Sequence, residues 1–138
     1  MTAFPHLFAG GRIGRLELRN RILMAPMEKN LATAAGAVTQ RYIDYVEARA
    51  AGGAALILLE SMYVHPAGRN HLYQLGIHDD ALVPGYRRLV EACHRHGALV
   101  CRPVDRDHLR PARVAGQRRS RRPHRADGCK IVLRFHEH

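Results

Sequence analysis

Hydrophobic positions along the chain fall into short runs separated by glycine, proline and polar clusters. The first, "GRIGRLELRNRI" (11–22), alternates apolar and polar residues between glycine-bounded turns and predicts a short hairpin. "RILMAPM" (21–27) is a nearly unbroken apolar run containing Pro26, which predicts a buried parallel strand rather than a half-exposed one. "EKNLATAAGAV" (28–38) predicts a loop. Thr39 is a good N-cap for "QRYIDYVEARAA", where Tyr42, Val46 and Arg49 share a helical stripe with Ile43 and Ala50 beside it. Gly52-Gly53 stops that helix. "AALILLE" (54–60) predicts a second buried strand that ends in a carboxylate. A long loop (61–83) follows. Pro84 then suits the first turn of a helix in which Leu89, Val90, Cys93 and His96 fall near one face. Gly97 ends the helix, and "ALVC" (98–101) opens a third strand.

Strand, loop, helix, strand, loop, helix, strand is the order of right-handed βαβ units on a parallel sheet. The long loops follow the strands, while the helix-to-strand turns are tight and glycine-based. Long loops at strand C-termini are where α/β enzymes, and βα barrels in particular, place their chemistry.

Charge divides the chain in two. The net charge is +10 over 138 residues. Residues 1–101 hold 11 Lys and Arg against 8 Asp and Glu, and residues 102–138 hold 11 against 4. The basicity therefore belongs mostly to the C-terminal stretch. The domain expectation follows: residues 1–101 form an α/β unit, and residues 102–138 a disordered basic tail. Cys93, Cys101 and Cys129 are odd in number and widely spaced, which argues against a disulfide framework or a zinc cluster and for a reducing, cytoplasmic setting. The N-terminal residues show no apolar core of a signal peptide, and "AALILL" is too short to span a membrane.

Candidate chemistry is sparse. "MAPM" at a strand end either presents backbone polar groups at a site mouth or is a plain strand followed by a turn. Glu60 is either a catalytic acid or an acceptor for neighbouring backbone, the second being the commoner role of an isolated carboxylate. His94 and His96 are not i,i+4 partners and read as solvated helix-end histidines rather than metal ligands. "AGGRIG" (9–14) follows no strand and reads as a hairpin turn rather than a phosphate loop. Asp79-Asp80 before Pro84 reads as negative charge complementing a helix dipole.

Four segments in order, "LFAGGRIGRLELRNRILMAPM", "GAVTQRYIDYVEARAAGGAALILLE", "VHPAGR" and "LGIHDDALVPGYRRLVEACHRHGA", resemble the Old Yellow Enzyme / NADH:flavin oxidoreductase family, including the flavin domain of bacterial 2,4-dienoyl-CoA reductases. "APMEKNLAT" is similar to a branch found beside the mycofactocin redox system. The resemblance implies the N-terminal portion of an FMN-binding (β/α)8 TIM barrel, incomplete here, with FMN at the strand C-terminal ends and NAD(P)H as reductant. It implies hydride transfer through FMN to a small-molecule acceptor such as an activated alkene. Ala25, Pro26 and Met27 match the first-strand segment that lies along the flavin. Glu28 takes a position that usually holds Thr, Cys or Gly near the flavin's reactive edge, a departure that bears on redox tuning. Ser61 matches a small residue near the pyrimidine end. The family's acceptor-binding pair, its proton-donor Tyr and its phosphate loops have no match here, so no catalytic residue is assigned.

The resemblance breaks at Arg102. The family's third strand continues as "QL" and, shortly after, "GR", whereas this chain reads Arg102-Pro103-Val104-Asp105. Codons CCA GTT GAC C for Pro-Val-Asp-Arg, shifted by one nucleotide, read Gln-Leu-Thr, and CGG CCG for Arg110-Pro111 shifts to Gly-Arg. Of the 37 tail residues 10 are Arg, and Pro, Ala and Gly add eight, the yield of GC-rich DNA read out of frame. The expectation is a frameshift product from about residue 102, a fragment inactive alone and prone to aggregate, because a complete barrel needs about 250 residues and an unclosed edge exposes unpaired backbone. The competing expectation is a stand-alone interaction module whose basic tail binds nucleic acid or anionic surfaces, non-specifically because Phe135 is the tail's single aromatic residue.

Overall fold

The computed structural model of the chain describes residues 3–102. The expectations for the basic tail, its order included, lie outside those residues. A single helical turn, α1 (Pro5–Phe8), leads into an antiparallel hairpin of β1 (Gly11–Ile13) and β2 (Leu16–Leu18). Its two-residue connection is possible because Gly14 adopts φ +58°, a conformation that costs a side-chain-bearing residue more.

Three parallel strands follow, β3 (Leu23–Met24), β4 (Leu56–Leu58) and β5 (Leu99–Cys101), in the spatial order β3-β4-β5. The crossovers are α2 (Gln40–Ala51) and α3 (Val83–Arg95). Both helices start where their sequences direct. The Thr39 side chain accepts a hydrogen bond from the Tyr42 amide, and Pro84 sits in the first turn of α3. Both end in glycine turns, Gly53 at φ +104° and Gly97 at φ +69°.

Strand alternation sorts the core into two faces. Ile57, Leu59 and Val100 point to the helices and pack with Tyr42, Ile43 and Val46 of α2 and with Leu89, Val90 and Cys93 of α3. Leu56 and Cys101 point the other way and meet Leu18 of the hairpin. The hairpin therefore covers the inner face of the sheet near the strand starts.

The same end is tied by Arg19 and Asn20. Arg19 donates from Nη1 to the His96 carbonyl (2.5 Å) and from Nη2 to the carbonyls of Ala50 (3.2 Å) and Ala54 (3.1 Å). Asn20 donates to the Gly53 carbonyl (2.8 Å) and accepts from the Ile22 amide (3.0 Å). One guanidinium thus serves a carbonyl at the C-terminal end of each helix, Ala50 and His96, and that of Ala54 just past the Gly52-Gly53 turn, where helical carbonyls run short of amide partners.

Four expectations need correction. The 21–27 run is not a buried strand: β3 is two residues long, Leu23 is 44% exposed and Met27 57% exposed. It lies at the sheet edge with β4 as its one neighbour among the described residues, so the run lacks the layers that would bury it. Arg49 leaves the buried stripe of α2 and stacks its guanidinium 3.4 Å from the Tyr45 ring, where its charge stays hydrated. His96 is not simply solvated: Nε2 lies 3.1 Å from Glu47 Oε1, because the Gly97 turn brings the end of α3 beside α2. The 61–83 loop carries two 3₁₀ turns, Pro66–Gly68 and Asp80–Leu82, the second capped by the Asp79 side chain and running directly into α3.

Candidate functional site

The strand C-termini gather the chain's remaining polar chemistry. β3 gives way to Ala25, Pro26 and Met27, all exposed. Glu28 follows, and its carboxylate bridges two groups: Oε1 accepts from Ser61 Oγ (2.5 Å), and Oε2 lies 3.0 Å from His71 Nε2. Beyond β4, Glu60 is 1% exposed. Its Oε2 accepts from the Lys29 amide at 2.6 Å, whereas Oε1 is buried without a partner. Burial raises the Glu60 pKa above the ordinary carboxylate value; the Lys29 amide opposes the rise and the nearby Glu28 charge adds to it.

Gln74 lies buried beneath Ser61. Its Oε1 accepts from the Asn70 amide (2.8 Å), and its Nε2 donates to Ser61 O and Oγ, both at 3.4 Å. The loop that carries Gln74 is fixed by backbone pairing with the 31–38 segment. Ala32 N–H donates to Tyr73 O (3.0 Å) and Gly76 N–H to Gly36 O (2.9 Å). Gly36, at φ +83°, sits so close to the Tyr63 hydroxyl that a side chain there would run into it. At Gly76 a Cβ would lie 2.7 Å from Tyr63 Cζ. These two glycines let the loops close over the phenol.

Other titratable groups are locked in the core. Burial raises the Tyr42 and Tyr86 phenols above their ordinary range, and Tyr86 donates to the Gly76 carbonyl at 2.8 Å. Burial pushes the Cys93 thiol up to about 12, the behaviour of a structural rather than a reactive cysteine. Arg102 Nε, past the end of β5, is also buried without a partner. Among the described residues no group of three or more His, Cys, Asp or Glu could hold a metal ion, and no helix is long and apolar enough to cross a membrane.

All five residues singled out in the sequence, Ala25, Pro26, Met27, Glu28 and Ser61, thus stand at one end of the sheet, and Glu28 and Ser61 touch. Sequence reasoning missed Lys29, His71 and Gln74. Gln74 left one signal, a lone amide inside the apolar "LYQLGI". A parallel sheet with crossover helices, with polar side chains and exposed apolar residues gathered at the strand C-termini, is the arrangement that barrel enzymes use.

Residues 6–103 match the NADH:flavin oxidoreductase / NADH oxidase family. The chain belongs to that family. It is 52% identical over 101 residues to an NADH oxidase of Thermoanaerobacter brockii, an alignment covering 72% of this chain and 16% of that protein. Among solved structures it is similar to the old yellow enzyme of Trypanosoma cruzi, with 38% identity and TM-score 0.64 over 72% of this chain and 26% of that one. The old yellow enzyme homologue of Zymomonas mobilis gives 33% identity and TM-score 0.65 over 71% and 27%. The chain therefore spans about a quarter or less of these family members. Its sheet and helices correspond to part of their TIM barrel, as the α/β reading expected.

Proposed function

We propose that residues up to about 101 are the flavin-facing first portion of an FMN-dependent NAD(P)H oxidoreductase acting on a small electrophilic acceptor such as an activated alkene. The observation that carries this reading is the exposed Ala25-Pro26-Met27 edge beside Ser61 and Glu28, at the strand C-termini of a chain in this family. FMN, when bound, supplies the chemistry of accepting and releasing hydride.

The residues present fit that group. A flat apolar edge with Met27 57% exposed suits contact with a planar ring, and the buried, unpartnered Glu60 Oε1 leaves an acceptor at the same end. Ala25, Pro26 and Met27 would lie along the flavin, with Ser61 near its pyrimidine end. Ser61 is held for this by Gln74 and by Glu28. Glu28, in contact with His71, would place a carboxylate near the reactive edge of the bound group.

In this reading residues 102–138 are an out-of-frame extension, the 138-residue chain has no turnover of its own, and the complete enzyme works in the cytoplasm. The test is to express two chains side by side: this one, and the one obtained by reading the neighbouring frame after codon 101. The second is expected to keep FMN through gel filtration and to oxidise NADH or NADPH, and the first to show no turnover. A neighbouring frame that stops early, or yields a colourless protein, removes the reading.

A further inference from the structure

Paired strand register between β3 and β4 ends at Met24 and Ile57. Beyond it the two chain segments are joined by side chains, and the bonds cross. Lys29 N–H, from the β3 side, donates to Glu60 Oε2 at 2.6 Å. Ser61 Oγ, from the β4 side, donates to Glu28 Oε1 at 2.5 Å. Consecutive residues on one segment thus engage consecutive residues on the other, each pair contributing one carboxylate. The second oxygen of Glu28 meets His71, so the same connection reaches the 61–82 loop.

We infer that this crossed pair is a positioning device, in which Glu60 and Glu28 fix the Ala25–Met27 segment against the end of the central strand after backbone pairing has stopped. The inference rests on the reading of that segment as flavin-facing, and it assigns the position of the segment to two named carboxylates. The burial of Glu60 is the strongest argument. A carboxyl that is 1% exposed and has one oxygen unpartnered is costly to place in a core. Its bond to the Lys29 amide is what that placement achieves. Glu28 supplies the reach: a shorter side chain at this edge position would not extend to Ser61 and to His71 together.

The test follows the Lys29 amide by NMR hydrogen exchange in the full chain, comparing Glu60→Ala with Glu60→Gln. In Glu60→Ala the Lys29 amide is expected to exchange about tenfold faster or more, the loss of one buried charge-assisted bond. The Val46 and Val90 amides in α2 and α3 should be unchanged. Glu60→Gln keeps an acceptor oxygen and should hold Lys29 within about twofold of the parent chain. A Lys29 amide as slow in Glu60→Ala as in the parent overturns the proposal, and so does a Gln variant as fast as the Ala variant. If Glu60→Ala loses helix protection throughout, the Gln variant decides alone: a protected Lys29 sustains the device and an unprotected one ends it. The measurement needs no flavin. A protected Lys29 here, together with a restored-frame chain that emerges colourless from gel filtration, leaves the device standing and removes the flavin reading instead.

Discussion

The two ends of the sheet are built on opposite terms. At the strand starts, polar groups meet partners: Arg19 serves three carbonyls, Asn20 both donates and accepts, and Glu47 meets Arg95 and His96 at 3.1 Å each. At the strand ends, Glu60 Oε1 and Arg102 Nε are buried without partners, and Met27 stands in the open. The first end is organised for stability. The second retains polarity and apolar surface that the described residues do not use among themselves, as expected where a fold keeps its chemistry.

The largest effect should come from removing the hub of the stable end. Arg19→Ala takes a donor from three carbonyls, of which Ala50 keeps the Gly53 N–H, and is expected to cost about 1–2 kcal/mol in chemical denaturation. A loss below about 0.5 kcal/mol would erase the contrast between the ends, because it would make Arg19 an ordinary surface residue. A smaller effect, of opposite character, is expected at Glu60. Its folded pKa lies above the unfolded one, so the folded state binds more protons, and stability falls as pH rises from the ordinary carboxylate range through the raised value. Glu60→Gln should flatten that decline, which a series of denaturation midpoints between pH 4 and pH 8 would check. An unchanged slope would mean that Glu60 is not the source.

The smallest effect should carry the reverse sign and belong to the other end. Hydrogen bonds from His96 and then Arg95 hold the Glu47 carboxyl below its ordinary value. Its contribution is present above the unfolded pKa and fades as pH falls through the folded one. Glu47→Gln should remove a shallow acid-side loss and leave the neutral range untouched. Glu47 stays partly open to solvent, so the change should be slight, and a large one would contradict the geometry.

Local chemistry made the elements legible. Thr39, Gly52-Gly53, Pro84 and Gly97 punctuate the helices where the structure has their ends, and "ALILL" and "ALV" mark β4 and β5. What stayed hidden depends on pairs distant in sequence. Arg19 meets residues 31, 35 and 77 positions away, and Ser61 meets Glu28 33 away. No periodicity encodes such a partner. The exposure of Leu23 was hidden for a different reason: an apolar run reads the same whether or not other layers cover it. At the candidate site, resemblance to the family singled out Ala25–Glu28 and Ser61 in the sequence; Gln74 left only the faint signal of a lone amide in an apolar run, and His71 left none.

The reach of Arg19 also dictates an order of events. During synthesis the hairpin emerges first, but the carbonyls that anchor it do not exist as helix ends until α2 has closed and His96, 77 residues later, has been made. The bond from Arg19 to His96 can therefore form only once α3 has been made, and late docking of the N-terminal segment is the order to expect. Interactions formed that late slow unfolding more than they speed folding. Arg19 should act as a latch on the finished structure, and its loss should appear in the rate at which the chain comes apart.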